Sequence, residues 1–221
     1  MQEQWTAVDR YITDHQVPAD PSIDAALQKS NDAGLPAINV APNQGKLLHL
    51  LAKIHGARTI LEIGTLGGYS TIWLARALPT GGKLVTLELD AKHAEVAAGN
   101  FKQAGLAGMI ELRIGRASDS LRALAAEKRA PFDLIFIDAD KASIPEYFTR
   151  SLQLSRPGSV IIVDNVIRKG AVLDPTSDDP GVQGVRKFNQ MLAAEKRVSA
   201  TTIQTVGSKG YDGFTLAVVS G

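Results

Sequence analysis

Asp138, Lys141, Asp164 and Asn165 stand where two apolar runs end, and their types suit oxygen ligation and proton transfer. Leu134-Ile135-Phe136-Ile137 leads into Asp138-Ala139-Asp140-Lys141, and Val160-Ile161-Ile162-Val163 leads into Asp164-Asn165. Asp138, Asp164 and Asn165 offer three hard oxygen donors, a set that favours magnesium, with calcium or manganese as alternatives, over zinc or copper. If the two runs are neighbouring strands, their ends lie about 4.8 Å apart, close enough to share one ion. The plainer reading is an Asx turn at Asp164-Asn165 and a helix cap at Asp138. Lys141 is the candidate for proton removal. The acids beside it favour its charged form, whereas a divalent ion would neutralise those acids and acidify a hydroxyl bound to it. A phenol starting near ~10 would then need only a modest base. The alternative for Lys141 is a surface lysine in a salt bridge.

Leu61-Glu62-Ile63-Gly64-Thr65-Leu66-Gly67-Gly68-Tyr69-Ser70 is an apolar run that breaks into a glycine-rich bend and then into a helical pattern, which marks a cofactor-binding turn. Its glycines lack the G-x-G opening that brings a dinucleotide pyrophosphate onto the backbone, so a smaller anion is expected. A helix opening at Ser70 would offer unpaired N–H groups to a carboxylate. Glu88 follows Gly68 by 20 residues, near the spacing at which an acid accepts hydrogen bonds from ribose hydroxyls. A nucleoside joined to an amino acid satisfies both ends, and S-adenosylmethionine is such a molecule.

These residues need strands to carry them, and the periodicity supplies a βα alternation. Runs at 59–63, 83–88, 110–114, 133–137 and 159–163 predict five strands, with helices over 70–78, 91–104, 119–128 and 144–154. Near-continuous apolar strands imply cover on both faces and a mostly parallel sheet. Runs at 201–206 and 214–219 are too close for a crossover helix and must be antiparallel. Ahead of the first strand, Trp5, Val8 and Ile12 share a helical face, a weaker helix follows around Ile23 to Ser30, and Asn43 is placed to cap an apolar helix ending at Gly56.

Composition limits the rest. A chain of 221 residues with 44% hydrophobic content can bury one substantial core, and no stretch resembles a linker, so one domain is expected. With 24 basic and 23 acidic residues the chain lacks the basic excess of a nucleic-acid binder. It has no cysteine, which fits a reducing compartment, and neither a signal-like nor a membrane-length apolar segment. A cytoplasmic protein with no membrane partner is expected.

The ordered motifs EIGTLGGYS, LELD, FIDADK and VDN resemble those of the cation-dependent class I O-methyltransferases, the group of caffeoyl-CoA and catechol O-methyltransferases and many bacterial relatives. The likeness runs from about Ala41 to Gly213-Phe214-Thr215-Leu216. It implies an α/β fold, a doubly wound, mostly parallel, seven-stranded Rossmann-like methyltransferase sheet with an antiparallel C-terminal strand, in one domain over 1–221 with residues 1–40 as a helical cap. By the same resemblance Val40, Glu62, Gly64, Thr65, Ser70, Glu88, Ala117 and Asp140 would contact S-adenosylmethionine. Asp138, Asp164 and Asn165 would hold the cation, and Lys141 would act as general base on a small aromatic diol. Family members are usually homodimers whose N-terminal helices help cover the substrate; the Trp5 to Ile12 face would equally serve to pack on its own core. Two alternatives are a tRNA hydroxyl as acceptor and a nicotinamide-dependent oxidoreductase on a similar sheet. One departure stands out: where many members carry an aromatic residue after the Asp-Asn pair, this chain has Ile167-Arg168-Lys169-Gly170. Its two cations would either attract an acidic acceptor or lie in solvent on a mobile loop running through Asp174 to Pro180, the simpler expectation.

Overall fold

The computed structural model describes residues 1–129 and 131–220. Three helices lead the chain, α1 (Gln2–Gln16), α2 (Pro21–Asp32) and α3 (Pro42–His55). The alternation then runs β1 (Thr59–Ile63), α4 (Tyr69–Ala75), β2 (Lys83–Glu88), α5 (Ala91–Gln103), β3 (Ile110–Ile114), α6 (Ala117–Ala126), β4 (Leu134–Ile137), α7 (Ile144–Gln153) and β5 (Val160–Asp164). A helix α8 (Pro180–Ala194) precedes the closing pair β6 (Val198–Gly207) and β7 (Gly210–Val219), and 3-10 turns occupy Lys141–Ser143 and Arg168–Leu173. The sheet order is β3-β2-β1-β4-β5-β7-β6. β1 to β5 pair in parallel, and β7 runs antiparallel to both β5 and β6, so β7 alone is reversed. This is the seven-stranded, mostly parallel arrangement expected.

Alternate residues of each central strand feed two cores, as the period of two requires. Ile60, Leu134, Phe136 and Ile162 face α2 to α5, where Ile23, Leu48, Ile72, Trp73 and Phe101 close over them. Leu61, Ile63, Ile135, Ile137, Ile161 and Val163 face α6 to α8, against Leu121, Leu124, Phe148 and Phe188. With both faces covered, the strands carry no polar alternation, which is why they read as continuous apolar runs. No helix among the described residues is long and apolar enough to cross a membrane.

Two local expectations change. Asn43 lies inside α3, whose cap position is Ala41 with Pro42 as the first helical residue; alanine has no side-chain oxygen to accept the first free amides, so this end carries no side-chain cap. The Asn43 amide instead donates to Asp9 on α1 at 2.9 Å. α8, absent from the elements expected above, carries a recognisable start: Asp179 accepts from the Gly181 and Val182 amides, Pro180 follows it, and Val182, Val185 and Phe188 make the buried stripe.

Asp133 ties the N-terminal ends of the central strands together. Its carboxylate accepts from the Arg58 and Thr59 amides (2.8 and 3.0 Å), from the Thr59 hydroxyl (3.1 Å) and from the Arg156 guanidinium (2.6 Å). Burial pushes its pKa up, but these donors outweigh burial and hold it below the ordinary 3.8. A depressed folded value means that the stabilisation is complete above the unfolded carboxyl's pKa and is lost as pH falls through the folded value. Asp133→Ala should therefore cost about 1–2 kcal/mol in urea unfolding at pH 7, by removing the acceptor that these part-buried donors share. The gap to wild type should narrow steadily below pH 4; an equal gap at pH 7 and pH 3 would contradict this role.

Candidate functional site

The carboxyl ends of β1 to β5 open on one cleft of about 760 Å3. Of the residues expected there, Val40, Gly64, Thr65, Ser70, Glu88, Ala117, Asp138, Asp140, Lys141 and Asn165 line it. Glu62 and Asp164 are not among the lining residues; they are buried, at 0% and 4% exposure.

The bend after β1 is held by Glu88 at the end of β2. One carboxylate oxygen accepts from the Thr65 and Leu66 amides at 3.1 and 2.8 Å, and the other accepts from the Asp90 amide at 2.9 Å. Glu88 thus shapes the bend as well as lining the cleft. Gly64 sits at φ 100, and a Cβ there would run into the Asp138 carbonyl oxygen on the adjacent strand. Only glycine lets the bend lie that close to the acid-bearing tip of β4.

Glu62 lies beneath this floor. It accepts from Ser70 Oγ at 2.6 Å, from Thr86 Oγ1 at 2.7 Å and from the Thr71 hydroxyl. Burial pushes its carboxyl up to about 7, with Asp138 adding in the same direction against the three hydroxyls. In this geometry Glu62 reaches the cleft through Ser70, as a positioning residue.

The second half of the cleft comes from β4 and β5. Ile137 and Val163 are register partners in a parallel pair, so Asp138 and Asp164 follow side by side. Asp164 accepts from the Gln44 side chain at 2.6 Å and from the Asn165 amide at 2.8 Å. Its carboxyl is raised first by burial and then by the negative charge of Asp138. Asn165, at φ 57, uses its backbone N–H in that turn, while its side-chain amide makes no hydrogen bond among the described residues and lines the cleft. Asp140, not Asp138, takes the capping role: it accepts from the Ser143 amide at 3.0 Å and from the Tyr147 hydroxyl at 2.6 Å. Burial raises the Asp140 carboxyl, yet those hydrogen bonds bring it below its ordinary value. Asp138 is left to accept from Lys141 Nζ at 2.8 Å. Among the described residues no three His, Cys, Asp or Glu side chains gather as a metal cage; an ion here would meet two carboxylates and an amide, a hard donor set that fits magnesium, calcium or manganese.

Three features were not anticipated. Gln44 on α3 lies 120 residues from the Asp164 it supports, and nothing local in the sequence marks that pairing. Gly184 of α8 packs against the Lys141 carbonyl, where a Cβ would clash, so the unforeseen helix positions the 3-10 turn that carries Lys141. Arg168 and Lys169 were expected to act together, either attracting an acidic acceptor or, more simply, lying in solvent on a mobile loop. They diverge: Lys169 points to solvent, whereas Arg168 lines the cleft.

The family model described as O-methyltransferase matches residues 17–218. A catechol O-methyltransferase of Niastella koreensis is 54% identical over 213 residues, covering 96% of each chain. The structure of an O-methyltransferase from Bacillus cereus in complex with SAH is 59% identical with a TM-score of 0.98, covering 100% of both chains. TomG from Streptomyces achromogenes, an O-methyltransferase involved in tomaymycin synthesis and solved in complex with SAM, is 55% identical with a TM-score of 0.97, covering 100% of this chain and 99% of its own. These matches displace the nicotinamide oxidoreductase alternative. The glycine bend, the acid-bearing strand tips and the reversed β7 occur together because the chain belongs to the O-methyltransferase family.

Proposed function

We propose that this O-methyltransferase takes its methyl group from S-adenosylmethionine in the cleft and methylates one hydroxyl of a catechol-like aromatic acceptor with the help of a divalent cation. The observation that carries this reading is the side-by-side placement of Asp138 and Asp164, with the uncommitted Asn165 amide next to them. Two carboxylates at adjacent strand ends repel each other, and Lys141, bonded to Asp138, offsets the charge of the buried Asp164 only in part. A bound cation would neutralise that pair and acidify a hydroxyl coordinated to it. Relatives named for catechol and SAM- or SAH-bound neighbours support the acceptor and donor classes.

The residues divide the work. Val40, Gly64, Thr65, Ser70, Glu88, Ala117 and Asp140 wall the space for the donor, with Glu62 acting through Ser70. Asp138, Asp164 and Asn165 supply the cation's oxygens, and Gln44 holds Asp164 in place. The acceptor hydroxyl loses its proton to Lys141 or to solvent. Its oxygen then bonds to the methyl carbon as the carbon–sulfur bond breaks, leaving S-adenosylhomocysteine. Holding oxygen, carbon and sulfur in line is the main contribution of the cleft walls. Residues 1–40 form a helical cap on one domain, and a second copy of the chain covers it. Val8 and Tyr11 on α1 remain 51% and 65% exposed, although Trp5 and Ile12 of the same face are half-buried; core packing alone leaves that stripe unfinished.

Catechol-type acceptors incubated with labelled methyl donor should be methylated in magnesium, lose the label transfer in EDTA and regain it on adding magnesium back. Undiminished transfer in EDTA would remove the cation from the reading. Asp138→Ala and Asp164→Ala should each lower turnover by about a hundredfold or more. Calorimetric affinity for S-adenosylhomocysteine should stay within about threefold of wild type, under 1 kcal/mol. Loss of that affinity in step with turnover would assign the two acids to the donor instead.

A further inference from the structure

We propose that Arg168 selects the acceptor: its guanidinium on the cleft wall pairs with a carboxylate carried on the aromatic ring. The inference rests on the methyl-transfer reading above and adds the chemical class of the ring substituent.

Arg168 is built into place. The Ile167 and Arg168 amides both donate to Asp212 Oδ1 of β7, at 2.9 and 3.0 Å, anchoring the segment to the sheet. Arg168, Lys169 and Gly170 take φ of 55, 56 and 91, three left-handed residues in succession. Two of the three carry a Cβ, so the segment stores strain that its surroundings must offset. Arg186 of α8 donates to the Val172 carbonyl at 2.6 Å and closes the loop from the other side. The Arg168 side chain then runs between Gly181 and the cleft: a Cβ built on Gly181 would lie 3.4 Å from Lys141 Cβ and 3.8 Å from Arg168 Nε. The guanidinium is therefore delivered to the cleft near Lys141.

What it lacks there is a partner. Arg168 Nε is shielded from solvent and makes no hydrogen bond, and the guanidinium is in no ion pair among the described residues. Among the described residues Arg113, Arg156 and Arg197 each hold a carboxylate, whereas Arg168 and Arg116, which both line the cleft, are in no ion pair. A buried donor without an acceptor is costly. The planar fork of a guanidinium is matched by a carboxylate, which takes two of its N–H groups at once. A neutral ring would leave the guanidinium's charge unpaired at the cleft wall.

The test compares 3,4-dihydroxybenzoate with neutral 4-methylcatechol, which differ at the ring substituent, using wild type, Arg168→Met and Arg168→Lys with S-adenosylmethionine and magnesium. Wild type should favour the acid in kcat/KM. Arg168→Met should raise KM for the acid by about tenfold or more, leave KM for 4-methylcatechol within about twofold, and weaken equilibrium binding of the acid to the S-adenosylhomocysteine complex in parallel. Arg168→Lys should keep part of the preference, since it retains charge but not the fork. Equal losses for both diols in Arg168→Met would make Arg168 a structural residue and overturn its selective role, as would a wild type that methylates both diols without preference. Failure of wild type to methylate either diol would instead overturn the catechol reading, and this inference with it.

Discussion

Backbone contact between Gly64 and the Asp138 carbonyl joins the two halves of the site. β1 and β4 run parallel in register to Ile63 and Ile137, and one residue later the first strand turns away into its bend while the second presents an acid. The absence of a Cβ at Gly64 lets the bend rest on the neighbouring strand tip. The glycine bend and the acid pair thus meet at neighbouring strand tips, the juxtaposition that the proposed in-line transfer requires. Glu88 fixes the far side of the same bend through the Thr65 and Leu66 amides.

Three buried carboxylates share this edge of the sheet, and they differ in how their charge is met. Glu88 accepts three backbone N–H groups, and Glu62 accepts three hydroxyls. Asp164 receives one amide side chain and one N–H, and faces Asp138 besides. The least compensated acid therefore lies where the cation is placed in the proposed reaction. Glu62 and Glu88 organise the fold of the bend; Asp164 retains the electrostatic demand that a ligand can meet.

The C-terminal third shapes the part of the cleft lined by Lys141 and Arg168. α8 abuts the Lys141 turn through Gly184, Asp212 of β7 anchors the 168–173 segment, and Arg186 ties that segment to α8. The reversed β7 lies next to β5, and this brings Asp212 within reach of the loop that leaves β5. In the proposed reaction the C-terminal stretches that position Lys141 and Arg168 thus meet the glycine bend over the strand tips.

Local pattern was enough for the strands, the glycine bend, the acids at the strand ends and the hairpin at the C-terminus. Each is written in a few consecutive residues: apolar runs covered on both faces, Gly64-Thr65-Leu66-Gly67-Gly68, Asp138 after Ile137, Asp164-Asn165 after Val163. α8 went unread, although Asp179-Pro180 and the Val182, Val185, Phe188 stripe mark it locally. Tertiary structure alone decided which acid is buried, which side chain supports it and where a cation points. Gln44 meets Asp164 across 120 residues, Glu62 withdraws under three hydroxyls, and Arg168 parts from Lys169 in a left-handed turn whose start Asp212 anchors through the Ile167 and Arg168 amides. Periodicity reports which face of an element is apolar, whereas the partner of a polar group is set by strand order and crossover packing, and a one-dimensional pattern carries no record of those distances.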